Sequence, residues 1–366
     1  MRTTVTVDLG PRSYPIHIGQ HLLAELPELL QQADIGRQIM LVTNPNVDAL
    51  YGQNLASALT QAGYKVTRTL VPDGEQAKTL EQAAALYDAA FAARLDRRSA
   101  VLALGGGVVG DLAGFFAATY LRGLPFIQLP TTLLAQVDSS VGGKVAINHP
   151  GAKNIIGAFY QPRLVIADLA TLTTLPKREI STGLAEVIKY GVIADGEFFV
   201  WLEENMSRLG RLEPAALAVA VEKSCRIKAQ VVGRDEREQS LRAILNFGHT
   251  AGHALEAVTD YAVYRHGEAV AIGMMVAARL AVALGMMDLP QARRLQHLLQ
   301  MAGLPVTLPE GIAVDSLITA MQHDKKIISG RLTFVLPASF PGHVVLQHIT
   351  DIALLADVLR ASRYEL

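Results

Sequence analysis

Ser99-Ala100-Val101-Leu102-Ala103-Leu104-Gly105-Gly106-Gly107-Val108-Val109-Gly110-Asp111 is the stretch whose reading decides the fold. Ser99 to Leu104 is a short apolar strand, and it runs directly into a turn that satisfies G-x-G-x-x-G before a helical pattern. Glycine there lets the backbone approach a pyrophosphate, and the N-terminus of the following helix favours negative charge. A plain tight turn would also use glycine, so the motif needs support from the rest of the chain.

Outward from this turn, short β-rich runs alternate with helical patterns. Gln38 to Thr43 is strand-like and ends at Asn44-Pro45-Asn46, after which Val47 to Ala62 reads as a helix. Lys65 to Val71 is strand-like, Gln76 to Arg94 is helical, and Pro125 to Leu129 and Arg163 to Ala167 are further strands. Such βαβα alternation predicts a mostly parallel sheet with helices on both faces. From about Pro176 long helical patterns follow one another, over 177–192, 197–209, 214–232, 241–258 and 267–284. Only 331–336 and 343–347 return to strand character. The expected organisation is an α/β Rossmann-like N-terminal domain over 1–178 and an all-α C-terminal domain over 179–366 carrying metal and substrate residues. The glycine motif follows a late strand, and no acidic residue lies about twenty positions on. The ribose contact must therefore come from elsewhere, such as Asn44 or Asp73-Gly74-Glu75.

The composition excludes several classes. The chain has 366 residues, 50% apolar and 18% charged, with a formal net charge of −1. A length of this kind suits two domains, and the missing positive field argues against a general nucleic-acid binder. The one cysteine, Cys225, allows no intramolecular disulfide, which fits a reducing, cytoplasmic setting. It sits in a helical pattern and reads as a small buried hydrophobe. The N-terminus alternates like a strand and shows no signal peptide. The apolar stretch from Ala269 to Met287 includes Gly273, Arg279 and Gly285 and follows His-Gly-Glu, so a buried helix explains it better than a membrane span.

The second half carries the metal chemistry. Glu186 and Lys189 share one helical pattern, His249 and His253 lie four apart on one helix face, and His266 precedes Gly267-Glu268. Two histidines and a carboxylate with an open position make a catalytic zinc site. Thr250 stands where an H-E-x-x-H protease needs glutamate, which excludes that class. Three of the ten histidines fall within eighteen residues, and spacing leaves open whether His249 or His253 takes the metal.

Basic residues cluster beside turns. Lys144 and Lys153 flank a turn-rich segment running from Asp138-Ser139-Ser140 to Asn154, and Arg122 precedes Gly123. Lys228, Arg242, Lys325 and Lys326 lie later in the chain. In a nearly neutral protein this pattern suggests a small anionic substrate, with lysines as point-charge phosphate binders.

Together Asp73-Gly74-Glu75-Gln76, Gly105 to Asp111, the run Leu129 to Lys144, Glu186 to Tyr190, Asp235-Glu236-Arg237-Glu238, Leu245 to His253, His266-Gly267-Glu268 and Asp324-Lys325-Lys326 resemble the 3-dehydroquinate synthase family. The resemblance implies a homodimeric enzyme with a Rossmann-like and a helical domain. Its substrate would be 3-deoxy-D-arabino-heptulosonate 7-phosphate, an anionic sugar phosphate, with NAD and zinc or cobalt as cofactors. It further implies Glu186, His249 and His266 as metal ligands, His253 for proton transfer and Glu238 as a second acid–base group. Asp138, Lys144, Asn154, Lys189, Lys228, Arg242, Asn246 and a lysine of the pair Lys325, Lys326 would contact substrate, with Arg122 reaching a neighbouring subunit. NAD contacts would come from Asp73, Gly74, Glu75, Gln76, Lys78, the turn Gly105, Gly106, Gly107, Val108, Val109, Gly110 and Asp111, Thr131, Thr132, Lys144, Lys153 and Thr171-Leu172-Thr173-Thr174-Leu175. The rivals are another sugar phosphate cyclase, a metal-dependent alcohol dehydrogenase of the glycerol dehydrogenase type, and a non-catalytic NAD-binding protein.

Overall fold

Strands of a parallel ladder lose both faces to packing, and the first half of the chain shows this residue by residue. The structure, a computed structural model, describes residues 2–323 and 332–366, so Lys325 and Lys326 lie outside the described residues. Two units are distinguished, Met1–Leu175 with Leu217–Arg237 and Pro176–Ala216 with Glu238–Leu366. A single boundary after residue 178 does not describe this grouping, because most of the helix Pro214–Arg234 goes with the first unit.

The first unit contains β1 (Thr3–Val7), β2 (Tyr14–Gly19), β3 (Gln38–Thr43), β4 (Lys65–Leu70), β5 (Ala100–Gly105), β6 (Phe126–Pro130), β7 (Lys144–His149), β8 (Ala152–Phe159) and β9 (Leu164–Asp168). Seven of these form one sheet in the order β1-β2-β9-β6-β5-β3-β4, antiparallel only between β1 and β2. Side chains alternate across a strand. Thus Val101 and Ala103 of β5 join Leu112, Phe116 and Phe126, while Leu102 and Leu104 join Leu55, Ile127 and Ile166 in a separate cluster. Two cores, one on each face, explain why the strands read as unbroken apolar runs. Apart from β1 the strands of this sheet run one way, so their C-terminal ends gather along one side of it, where such folds bind ligands. Asn44, the glycine turn and Thr131 leave from that side.

The segment expected to be turn-rich forms instead a helical turn at Ala135–Ser139 and the antiparallel hairpin β7–β8, with Lys144 opposite Phe159 and Ile147 opposite Ile156. Val145 and Ile147 are buried in the cluster containing Phe116, while Lys144 is exposed. This alternation is diluted in the sequence by glycine, lysine and asparagine.

Among the described residues the second unit is largely helical, with one two-stranded exception: β10 (Thr333–Ser339) pairs with β11 (His343–His348). The expected helix over 241–258 is broken into a 3-10 turn at Leu241–Asn246 and a helix at His249–Val258. Gly248 between them has φ +80°, a left-handed value that glycine reaches without steric cost. Glycine also sets the helix packing. A Cβ on Gly273 would stand 1.9 Å from the Gly248 carbonyl oxygen, and one on Gly267 would stand 2.1 Å from the Thr182 carbonyl oxygen. The helices Lys177–Ala194, His249–Val258 and His266–Ala283 therefore touch backbone to backbone. Among the described residues His266–Ala283 is the one helix long and apolar enough to cross a membrane, and 72% of it is buried.

Gly273→Ala forces the helices apart and should destabilise the protein by about 3 kcal/mol or more, at the upper end of overpacking costs. Denaturant unfolding measures it, and a loss below about 1 kcal/mol would show that the backbone contact yields easily. Burial pushes the Cys225 thiol up to about 12, while its Sγ faces the Gln136 carbonyl oxygen at 3.2 Å. On the order of 10⁻⁴ of it is thiolate at pH 8, so the native protein should resist alkylation and react only after unfolding. Stoichiometric labelling of native protein would contradict this.

Candidate functional site

Glu186 lies mid-way along Lys177–Ala194 and is fully buried, whereas His249 and His266 each open a helix. Because those helices meet at glycine, the three side chains converge. Glu186 Oε1 is 3.7 Å from His249 Nε2 and 3.6 Å from His266 Nε2. Ligand atoms about 2.0–2.2 Å from a tetrahedral zinc stand roughly 3.4 Å from one another, so these separations are within a few tenths of an ångström of a ligand set. His249 Nδ1–H donates to the Phe247 carbonyl at 3.1 Å, which turns the Nε2 lone pair toward Glu186. A lone pair facing a carboxylate calls for a cation between them.

The charges agree. Burial alone would lower the pKa of His266, but hydrogen bonds to Glu186 and Glu256, and their charges, push it up to about 10. Without a metal this shift favours a protonated His266; a dication would bring positive charge to the same carboxylates. His253 stands beside this group, its ring centroid 5.2 Å from that of His249 and 6.0 Å from that of His266. It groups with Glu256 and His266, whereas His249 groups with Glu186 and His266. The donor set fits a divalent metal such as zinc or cobalt. Lys189, buried and in an ion pair with Glu186, closes one side. Asn246 Nδ2 donates to Glu238 Oε1 at 2.9 Å, and Arg242 is buried nearby in sequence on the 3-10 turn.

In the first unit the glycine turn caps β5, with Gly105 inside the strand, Gly106 as the helix N-cap and Gly107 to Asp111 as the first helical residues. A Cβ on Gly106 would press on Thr132 at 3.1 Å and one on Gly107 on Ser139 at 3.0 Å. Side chains there would crowd Thr132 and Ser139, so the turn keeps a bare backbone at the helix N-terminus, which suits a pyrophosphate. Thr131 and Thr132 follow β6 beside it, and the Thr131 N–H donates to the Gly105 carbonyl at 3.0 Å.

Most of the other expected cofactor and substrate residues of this unit stand in polar contacts. Asp73 accepts from Asn44 at 2.9 Å and from Asn46 at 3.0 Å. Gln76 folds back onto the Asp73 carbonyl at 2.5 Å. Buried Lys78 pairs with Asp111 at 2.7 Å and with Glu75 at 3.6 Å, and also bonds Asn154. Burial opposes the Lys78 charge, but Asp111 and Glu75 hold its pKa above the ordinary lysine value. Lys153 stands 4.0 Å from Glu75. Lys228 Nζ donates to Asp138 at both the backbone oxygen (2.7 Å) and Oδ1 (2.8 Å). Arg122, at φ 69°, follows Leu121 at φ 50° in an exposed left-handed turn. Thr171 and Leu172 point into the interior, leaving Thr173 and Thr174 exposed and Leu175 half-buried.

Two groups escaped the sequence reading. Asn148 donates to Glu75 Oε1 at 2.8 Å and accepts from the Asn154 N–H at 2.9 Å, which ties the hairpin to the 73–78 loop. Glu256 stands behind His266; its place three residues after His253 and seven after His249 put it on the same helix face, the one signal available.

Comparison with known proteins adds independent findings. Residues 68–182 match the model of the 3-dehydroquinate synthase N-terminal family and residues 183–327 that of the 3-dehydroquinate synthase C-terminal family. A 3-dehydroquinate synthase of Pelotomaculum thermopropionicum is 60% identical over 91% of this chain and 90% of its own. A 2-deoxy-scyllo-inosose synthase, solved with carbaglucose-6-phosphate, NAD+ and Co2+, superposes with a TM-score of 0.89 at 27% identity, over 98% of this chain and all of that one. A 2-epi-5-epi-valiolone synthase from Streptomyces hygroscopicus with NAD+ and Zn2+ bound gives 0.87 at 27% identity over 99% of both chains. With both halves of the family model matched in sequence and a relative this similar across nearly the whole length, the chain belongs to the 3-dehydroquinate synthase family.

Proposed function

We propose that the chain converts 3-deoxy-D-arabino-heptulosonate 7-phosphate to 3-dehydroquinate and phosphate, as a lyase dependent on NAD and on zinc or cobalt. The observation that carries this reading is the convergence of Glu186, His249 and His266 in one unit, in a chain whose other unit presents a glycine-lined phosphate cradle. The 60% identity to a named 3-dehydroquinate synthase supports the substrate. The structural likeness to cyclases solved with NAD+ and a divalent metal supports the cofactors. Work as a homodimer in the cytoplasm, with Arg122 reaching the neighbouring subunit, belongs to the same proposal.

When bound, NAD supplies a reversible hydride acceptor and the dication, held by Glu186, His249 and His266, supplies charge stabilisation to neighbouring substrate oxygens. The chain's own residues bind, orient and move protons. Lys144, exposed at the start of β7, and Asn154 on β8 hold the anionic groups. Lys228, fixed by Asp138, and Arg242 and Asn246 orient the sugar. His253, beside the metal ligands and 5.2 Å from the His249 ring, exchanges protons with substrate oxygens, and Glu238, bonded to Asn246, is a second such group. Bound NAD would supply reversible hydride transfer at C5, where a ketone would make the C6 proton acidic; the substrate's own phosphate would take that proton as it leaves, before the opened ring closes by an aldol step. Redox balance is restored within one turnover, so no NADH accumulates.

The deciding experiment incubates purified protein with the heptulosonate phosphate, catalytic NAD and zinc while following phosphate and absorbance at 340 nm. Phosphate release with no net absorbance rise is expected. Net NADH formation would point instead to an alcohol dehydrogenase, and a carbocycle other than 3-dehydroquinate to a different cyclase. Glu186→Ala should abolish metal binding and turnover with NAD affinity largely kept; full phosphate release by this variant after chelator treatment would refute the metal assignment. Lys144→Ala should raise the apparent KM for the sugar phosphate several-fold or more, and an unchanged KM would remove Lys144 from substrate binding.

A further inference from the structure

We propose that Glu256 is a positioning residue of the metal centre: its carboxylate holds His266 by Nδ1, so that the opposite nitrogen faces Glu186. This rests on the reading that Glu186, His249 and His266 hold the dication. Glu256 Oε2 lies 3.4 Å from His266 Nδ1, while His266 Nε2 lies 3.6 Å from Glu186 Oε1. An imidazole is rigid, so an acceptor that fixes one nitrogen also aims the other.

The two histidine ligands are anchored differently. His249 has its ring held by the Phe247 carbonyl, part of its own backbone turn. His266 opens its helix directly after the loop that follows Thr259, and its side chain is 31% exposed, so packing alone does not fix the ring. Glu256, 8% exposed on the neighbouring helix, supplies the constraint. Its backbone also accepts from the Tyr261 N–H at 2.8 Å, tying the loop before His266 to the same residue. A carboxylate behind the imidazole does more than a carbonyl can, because its charge raises the basicity of the ligating nitrogen. With Glu186 it brings two negative charges to a site that binds a dication.

One alternative has to be separated by experiment: His253, Glu256 and His266 also lie close enough to hold a metal themselves. Zinc affinity of the full-length protein is measured by competition with a chromophoric chelator, alongside the melting temperature of metal-free protein. Glu256→Ala should weaken zinc roughly 10–100-fold, with Glu256→Gln, which keeps an acceptor and loses the charge, falling between it and wild type. The metal-free melting temperature of the Gln variant should stay near wild type, and His253→Ala should bind zinc within about threefold of wild type. If Glu186→Ala weakens zinc while both Glu256 variants bind like wild type, the positioning role is overturned and the metal assignment stands. If Glu256→Ala does not fold, the Gln variant decides alone. If His253→Ala weakens zinc and Glu186→Ala does not, the metal belongs to the other trio and both readings fall.

Discussion

Close backbone approach between helices is the constraint on which the cluster of Glu186, His249 and His266 depends. Helices separated by ordinary side chains stand about 8–10 Å apart, axis to axis. Gly273 against the Gly248 carbonyl and Gly267 against the Thr182 carbonyl leave no room even for a methyl group. A glutamate in the middle of one helix can meet imidazoles at the first positions of two others only under this compression. Each helical glycine costs roughly 0.5–1 kcal/mol relative to alanine. That loss is offset by the helix His266–Ala283, which buries Val270, Ile272, Met274, Met275, Val276 and Leu280, at about 1.5–3 kcal/mol for each large apolar side chain.

The charged residues obey a related economy. The chain is nearly neutral, yet Lys78, Lys189 and Lys228 are all buried, each against a carboxylate: Asp111, Glu186 and Asp138. Isolated charges at such depth would carry a large desolvation penalty, and pairing brings it down without making the pairs a strong source of stability. Burial shifts Asp111 upward while Lys78 pulls it back, the signature of a pair held together under desolvation. Charges arranged in this way are oriented before a ligand arrives, so little ordering is left for the ligand to impose.

The parallel sheet was legible because its strands are buried on both faces, and burial of that kind leaves unbroken apolar runs such as Val101 to Leu104. The β7–β8 hairpin was not, since only Val145 and Ile147 among its first residues are core and the intervening positions carry lysine, alanine and asparagine. The helix expected over 241–258 kept its apolar period straight through Phe247 and Gly248. Periodicity cannot register a left-handed residue that reverses the chain for one step and starts a new helix at His249.

The same limit governs the histidines. His249, His253 and Glu256 follow at spacings of four and three, so they share a face, and helical period gives each an equal claim to a metal. What separates them is non-local: where His266 and Glu186 come to lie against that face. His266 places one nitrogen toward Glu186 and the other toward Glu256, so the two carboxylates take opposite edges of its ring. This placement is set by Gly267 and Gly273, which fix how far the helix of His266 slides along its neighbours before backbones collide. The sequence therefore displays the ionisable groups openly, while their arrangement is set by residues that have no side chain at all.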